Sequence, residues 1–429
     1  MANKIQAIRG MHDILPPQIY LWQHVETAIR TLMHCYDYQE LRLPIVETTE
    51  LFKRSIGEVT DIVEKEMYSF SDRNGDGLTL RPEGTASCVR AAIEHGLLDT
   101  PRRFWYQGPM FRHERPQRGR YRQFHQLGIE VFGLPGPDIE LELILLITRL
   151  WHNLGLKQLE LQINTLGNPD ERANYRNVLV TYLQQNYTKL DVDSQRRLQQ
   201  NPLRILDSKN PELQDILTKA PILLEYIGPK SLEHLEQLKI NLSACNINYT
   251  INPRLVRGLD YYTHTVFEWV NNNLGTQGTV CAGGRYDNLV EQLGGRPTTA
   301  IGLAMGIERI VAMLIDHNHV INANQLDIYF ITASNTAQTQ AFIISEQIRD
   351  KIPQIRIQVH CGGGSFKSQF KKADRNQARY AMILGDDELT RKVVGIKSLR
   401  DQNQQIEVSF LDLINWLQTH IMSQPPSNL

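Results

Sequence analysis

The chain has 429 residues, 41% of them hydrophobic and 22% charged, with a formal net charge of −1. That length can bury large cores and points to two or three domains, and neutrality does not decide on nucleic acid, because a local patch attracts phosphates whatever the total charge. Five scattered cysteines without a CxxC pair argue against a disulfide framework or a cysteine-rich zinc site; no apolar leader and no run of eighteen apolar residues is found, so a membrane protein is not expected and the cytoplasm is. From Ile19 to Tyr36 apolar residues recur at helical spacing, and Leu41 to Val46 reads as a strand broken by Pro44. Arg73 to Gly77 is a turn into a strand at Leu78 to Arg81, after which Pro82-Glu83-Gly84 leads into a helix from Thr85. Phe104 to Phe111 and Gln123 to Phe132 form an antiparallel hairpin. Its connecting segment carries Arg112, Arg115, Arg118, Arg120 and Arg122 against one acid, Glu114, which is a composition suited to polyanions.

From Asn168 to about Leu242 glycine nearly vanishes, Gln, Asn, Leu and Lys dominate, and the periodicity is helical, as in an inserted helical module. Strands return at Asn248 to Ile251, Thr265 to Val270, Thr279 to Ala282 and Thr299 to Met305, before a helix from Ile307 to Ile315. Beyond residue 319, strands (Leu326 to Thr332, Ile355 to His360, Tyr380 to Leu384, Val393 to Ile396) alternate with helices (Thr336 to Arg349, Ser365 to Asn376, Phe410 to His420) in a separate α/β unit of about a hundred residues.

Period-two geometry puts Phe124, Gln126, Gly128 and Glu130 on one strand face and Leu127, Ile129 and Val131 on the other. Glycine between polar side chains leaves a hollow for a small polar ligand; a solvated strand face is the competing reading. Ala300, Gly302, Ala304 and Gly306 likewise strip one face of a second strand, which suits a flat ligand or close helix packing, with Arg309 placed to cover an aromatic base. Arg257-Gly258-Leu259-Asp260-Tyr261-Tyr262 and Ala282-Gly283-Gly284-Arg285-Tyr286-Asp287 combine glycine, arginine and tyrosine where strands meet turns, as ligand-lining loops do. Gly362-Gly363-Gly364-Ser365-Phe366-Lys367 misses the phosphate-loop spacing and reads as a helix N-cap. No HExxH, GxSxG or paired CxxC is present, so no metal centre is expected.

Phe111-Arg112-His113-Glu114 with its basic loop resembles motif 2 of the class II aminoacyl-tRNA synthetases, Gly302 to Arg309 resembles motif 3, and the first helix with the Pro44 strand resembles motif 1. Leu80 to Thr85, Leu127 to Gly133 and above all Arg257 to Tyr262 are similar to peptides particular to the histidyl-tRNA synthetases, and the resemblance spans essentially the whole chain. It implies an α+β fold: a class II antiparallel sheet flanked by helices in residues 1–325, interrupted by the helical insertion at about 168–245, then an anticodon-binding α/β domain at 326–429. One departure is His264, where the family commonly has glycine or arginine.

The resemblance also implies roles. Histidine's ammonium is expected on Glu83, Thr85 and Gln126, with Gly84 beside them, and its imidazole between Glu130 and Tyr262, with Tyr261 nearby. ATP is expected on Arg112, Glu114, Arg120, Phe124 and Arg309, the adenine stacked between Phe124 and Arg309, with Mg²⁺ accompanying the phosphates. Arg112 and Arg257 are the expected catalytic residues, gripping the α-phosphate. Arg115, Gln117, Arg118 and Arg122 are expected to approach the acceptor end of tRNA(His), and Lys367, Lys371, Lys372 and Arg375 the anticodon stem, with a solvated helix face the competing reading, nearly as good residue by residue. A cytoplasmic homodimer follows from the family. The main alternative is the histidine-binding regulatory subunit of ATP phosphoribosyltransferase, which resembles the core but lacks the anticodon domain and generally loses the adenylation arginines; a threonyl or prolyl enzyme and a generic RNA-binding protein are more remote.

Overall fold

The structure, a computed structural model, describes residues 4–57, 60–208, 210–271, 278–317, 326–401 and 404–422. The chain divides into two compact units, Met1–His319 and Val320–Leu429. The expected boundary at 325/326 abuts residues 318–325, which lie outside the described residues.

In the first unit the strands are β1 (Gln39–Glu40), β2 (Val46–Thr48), β3 (Tyr68–Ser71), β4 (Gly77–Leu80), β5 (Arg102–Phe111), β6 (Gln123–Phe132), β7 (Glu160–Thr165), β8 (Thr250–Ile251), β9 (Thr263–Val270), β10 (Thr279–Arg285) and β11 (Ala300–Gly306). Eight of them form one sheet in the order β1-β5-β6-β11-β10-β9-β7-β8; β2-β4-β3 form a small second sheet. The large sheet is antiparallel through its middle, with parallel pairs at both edges, β1 with β5 and β7 with β8. These elements build the α+β fold that was expected, a largely antiparallel sheet flanked by helices.

The hairpin β5–β6 pairs over ten residues, Arg102 opposite Phe132 through Phe111 opposite Gln123. Leu127, Ile129 and Val131 on β6 and Ile301, Leu303 and Met305 on β11 are all buried. Helices Gln18–Cys35, Asp138–Asn153 and Ile307–Asp316 turn apolar residues such as Val25, Ile29, Leu143, Ile147, Ile310 and Leu314 inward. The opposite face carries a row set by register: Tyr106 opposite Gly128, then Ala304, Ala282, Glu268 and Gln162 on successive strands. Directly opposed residues share a face, so the smallest side chains lie mid-sheet with polar ones toward β7, forming a concave floor.

Several expectations are corrected. The strand expected over Leu41 to Val46 is irregular between β1 and β2, because Pro44 has no N–H to contribute. Instead Arg81 Nη1 donates to the carbonyls of Leu43 and Pro44 at 2.9 and 3.3 Å. Strand β7 and helix Asp138–Asn153 were not anticipated, the strand because six residues with only Leu161 and Ile163 as aliphatic side chains give a short signal. The insertion is helical as expected, with helices at Pro169–Gln185, Val192–Gln200, Gln214–Thr218 and Pro229–Ala244. Asn168 and Glu171 form a reciprocal capping box at its first helix.

The second unit is a five-stranded sheet, β13-β12-β14-β15-β16, with strands β12 (Ile328–Thr332), β13 (Ile357–Val359), β14 (Tyr380–Leu384), β15 (Val393–Ser398) and β16 (Ile406–Ser409), the last unforeseen. Ser365 caps helix Phe366–Arg375 by accepting from Ser368 N–H, as expected.

Candidate functional site

A cavity of about 1060 Å³ opens over the polar face of the large sheet. Glu83, Thr85, Arg112, Glu114, Arg120, Phe124, Gln126, Arg257, Tyr261, Tyr262 and Arg309 all line it. Residues from nearly 230 positions of sequence thus converge on one space. Gly84 and Glu130 lie behind its wall. Arg115, Gln117, Arg118 and Arg122 do not line it.

One end of the cavity is built by the turn before helix Thr85–Glu94. Glu83 accepts from the backbone N–H of Thr85 (2.6 Å) and of Ala86 (3.0 Å), occupying donors that a helix start leaves open. Burial raises its carboxyl above the usual range, against these hydrogen bonds and Arg112. A carboxylate so placed gains by meeting an ammonium. Gln126, also in the lining, has its Oε1 buried without a hydrogen-bond partner, an acceptor left for a donor.

Behind Thr85 lies Glu130, with none of its surface exposed. Its Oε1 accepts from Thr85 Oγ1 at 2.7 Å and Tyr106 Oη at 2.9 Å, its Oε2 from Tyr286 Oη at 2.5 Å. Burial pushes this carboxyl up to about 8, only partly offset by the three hydroxyls and reinforced by Glu83. Tyr261 and Tyr262 stand with ring centroids 4.7 Å apart, and burial pushes the Tyr262 hydroxyl up to about 12, keeping it a donor.

The two glycine hollows expected to receive a ligand receive protein instead. A methyl at Gly128 would overlap the Tyr106 ring, and one at Gly302 would overlap the Glu130 carboxylate, because each glycine's directly opposed neighbour leans over it. Only the far end of the bared β11 face, Ala304 and Gly306, reaches the cavity.

The other end is cationic. Arg112 Nε donates to Pro82 O at 2.8 Å, and its guanidinium lies 5.3 Å from the Phe124 ring centre. Arg120 pairs with Glu114 at 3.1 Å, and Arg309 donates to the Thr279 carbonyl. Burial and the guanidinium groups of Arg120 and Arg112 push Arg309 down to about 10, which an arriving anion would reverse. Arg257 pairs with Glu268 at 3.1 Å while its Nε is buried without a partner.

Around the described lining, five arginines (Arg112, Arg120, Arg204, Arg257, Arg309) face seven carboxylates (Asp61, Glu66, Glu83, Glu114, Asp207, Glu268, Glu308). The excess of acids suits a phosphate ligand that brings its own divalent cation. Glu66 is raised by burial and by Glu114 beside it, a pair of carboxyl oxygens of the hard kind that suits such a cation, and elsewhere in the lining Glu308 Oε2 is buried without a partner. No three His, Cys, Asp or Glu side chains among the described residues form a metal cluster.

The rest of the arginine-rich loop turns outward. Gln117 and Arg120 close a tight turn around Gly119 (φ +73), Arg118 pairs with Asp316, Arg122 packs over Gly10, and Arg115 is exposed. Arg285, read as ligand-lining, is instead 1% exposed and paired with Glu140 and Asp287. His264 has φ +47, the left-handed conformation in which glycine is at ease, and stacks on His234 at 6.1 Å. Glu268, Gln162, Asn252 and Glu308 line the cavity without having been singled out; only Glu308, inside the motif that ends at Arg309, carried a sequence signal. Lys367, Lys371, Lys372 and Arg375 are exposed on their helix.

A family model described as Histidyl-tRNA synthetase matches residues 10–310, and one described as Anticodon binding domain matches residues 327–420. The crystal structure of the apo S. aureus histidyl-tRNA synthetase is 34% identical over 96% of this chain and 99% of that one, with a TM-score of 0.81. A histidyl-tRNA synthetase from Nostoc (18% identical, 97% and 100% covered, TM-score 0.70) shares the fold. So does an ATP phosphoribosyltransferase regulatory subunit/histidyl-tRNA synthetase from Bacillus halodurans (21%, 90% and 99%, TM-score 0.65).

Proposed function

The chain belongs to the histidyl-tRNA synthetase family, whose members are ATP-dependent ligases, and on that premise we propose that it activates L-histidine as histidyl-adenylate and transfers it to the 3′-terminal ribose of tRNA(His). The observation that carries this reading is the convergence, in one cavity, of an ammonium-seeking acid end and a phosphate-seeking arginine end.

Glu83 and Gln126 take the ammonium, a charge-assisted contact of the strong kind. Glu130 and Tyr262 take the two ring nitrogens, and a side chain without them would leave buried polar groups unpaired. Phe124 and Arg309 stack the adenine, which requires the Arg112 guanidinium to turn from Phe124 toward phosphate. Arg112 and Arg257 hold the α-phosphate while a histidine carboxylate oxygen attacks its phosphorus and pyrophosphate leaves; Arg120 meets the γ-phosphate. Such a reaction needs positioning and charge neutralisation rather than covalent help. Glu114 and Glu66 are the residues that would hold Mg²⁺ against the phosphates, where the ion would supply neutralisation of the charge on the leaving pyrophosphate. In the second step the ribose hydroxyl attacks the adenylate carbonyl, AMP departs, and an adenylate phosphate oxygen takes the proton.

Arg115, Gln117, Arg118 and Arg122 face the acceptor end of the tRNA. Residues 1–325, with the insertion at about 168–245, serve as the catalytic core, and 326–429, with Lys367, Lys371, Lys372 and Arg375, as the anticodon-binding domain. A homodimer in the cytoplasm completes the reading; the partly exposed Ile45, Val46 and Phe70 of the small-sheet region give a second copy apolar surface, and among the described residues no helix is long and apolar enough to cross a membrane.

The Bacillus halodurans protein described as an ATP phosphoribosyltransferase regulatory subunit/histidyl-tRNA synthetase shares the fold at 21% identity, and a histidine-binding regulatory subunit is the second reading. Arg112, Arg257 and Arg309 around one cavity favour adenylation over that role. ATP–pyrophosphate exchange assayed with each of the twenty amino acids separates the two: histidine alone should support exchange, and histidine binding without exchange would leave the regulator.

A further inference from the structure

Tyr106 and Tyr286 are buried phenols that, like Glu130, lie behind the wall of the cavity. Both direct a hydroxyl at one carboxyl group, from different elements: Tyr106 from β5 to Glu130 Oε1, Tyr286 from the turn after β10 to Oε2. Neither ring has room to shift. Gly84 and Gly128 crowd the Tyr106 ring so closely that a methyl at either would overlap it. Tyr286 sits edge-on to Tyr261 at 5.7 Å and to Phe132 at 6.4 Å.

A carboxylate pivots about its terminal torsion, and one donor leaves that rotation open. Donors on both oxygens, anchored on separate elements, close it. We propose that Tyr106 and Tyr286 are positioning residues for Glu130, fixing its plane so that Oε2 lies over Gly302 and Oε1 is the atom presented toward the cavity. The third donor differs in kind. Thr85 lines the cavity, and its hydroxyl covers Oε1 from that side, so a ring N–H arriving there would displace Thr85 and leave both tyrosines in place. Two phenols from the protein thereby hold what one threonine releases. The glycines at 84, 128 and 302 serve this arrangement by giving space to Tyr106 and Glu130.

The inference rests on Glu130 as the imidazole partner, and the test separates the two. In the full-length, substrate-free protein, the Glu130 carboxyl band is titrated by isotope-edited infrared spectroscopy in wild type, Tyr106→Phe, Tyr286→Phe and, as a control, Tyr175→Phe, whose hydroxyl donates to the Pro221 carbonyl instead. Each hydroxyl favours the anion, so losing one should raise the midpoint by about one pH unit, with the control unmoved. In exchange assays the same two variants should raise the KM for histidine about tenfold, with kcat and the KM for ATP changed less than about twofold. Unmoved midpoints in both variants would overturn the positioning role, whatever happens to histidine. Shifted midpoints with an unchanged histidine KM would uphold it and remove Glu130 from imidazole recognition. The two tyrosines lie on different elements, so a fold failure in one variant leaves the other to decide.

Discussion

The two ends of the cavity are built in opposite ways. At the amino-acid end Glu130 is fully buried and takes three hydroxyls, while Glu83 is capped by two backbone N–H groups. At the phosphate end the side chain of Arg120 is 39% exposed, and Arg112 rests on Phe124. On the proposed function, the difference follows from what each end would have to do. Choosing one small ring among many needs polar atoms whose geometry is fixed before binding, since a misfit is then penalised by unpaired groups. Receiving a triphosphate needs cations that can move from temporary partners to the ligand.

The largest effect should come from Arg257, whose guanidinium carries an unpartnered Nε beside the cavity. Arg257→Ala should lower histidine-dependent pyrophosphate exchange by on the order of 10³-fold while histidine binding by calorimetry changes only a few-fold. Exchange at the wild-type rate would remove it from the chemistry.

Next, Glu130→Gln should weaken histidine binding about a hundredfold and leave ATP binding within a few-fold. Equal losses of both ligands would make the acid end merely structural. The same variant has a pH signature. The folded carboxyl lies near 8, above its ordinary value of 4.5, so burial favours the neutral form. Its contribution to stability is therefore full below about pH 4.5, declines as pH rises, and has gone above about 8. Between pH 6 and 8 wild type should lose stability relative to Glu130→Gln by about 1.4 kcal/mol per pH unit, measured by denaturant titration; parallel curves would contradict the burial.

A smaller effect is expected from Gly84→Ala, which forces Tyr106 to move. Overpacking of this kind destabilises by about 1–3 kcal/mol, and the histidine KM should rise while the KM for ATP does not. A shift confined to ATP would break the division between the ends. Smallest of all, Arg115→Ala on the exposed loop should leave exchange intact and lower the salt dependence of tRNA binding by about one phosphate contact. An unchanged salt slope would place Arg115 away from the nucleic acid.

Much of this was legible along the chain. The hairpin appeared at nearly its full length because alternating apolar residues bracket a proline- and glycine-bearing basic loop. The insertion announced itself by its loss of glycine, and eleven of the expected site residues do line one cavity. Strand β7 was missed because it is only six residues long and offers just two aliphatic side chains, Leu161 and Ile163, too short a run to stand out between a helix and the insertion. Arg285 was misread for a different reason: arginine beside glycine and tyrosine looks the same whether it meets a ligand or Glu140, which is 145 residues away.

The sequence by itself determined residue types, their alternation and the family, because side-chain period and motif spacing are properties of neighbours along the backbone. Which residue fills which hollow was decided only by strand register. Tyr106 lies across from Gly128, and Glu130 across from Gly302, through pairings that a one-residue slip would send to the other face. Tertiary structure thus turned two apparent ligand hollows into supports for one buried acid.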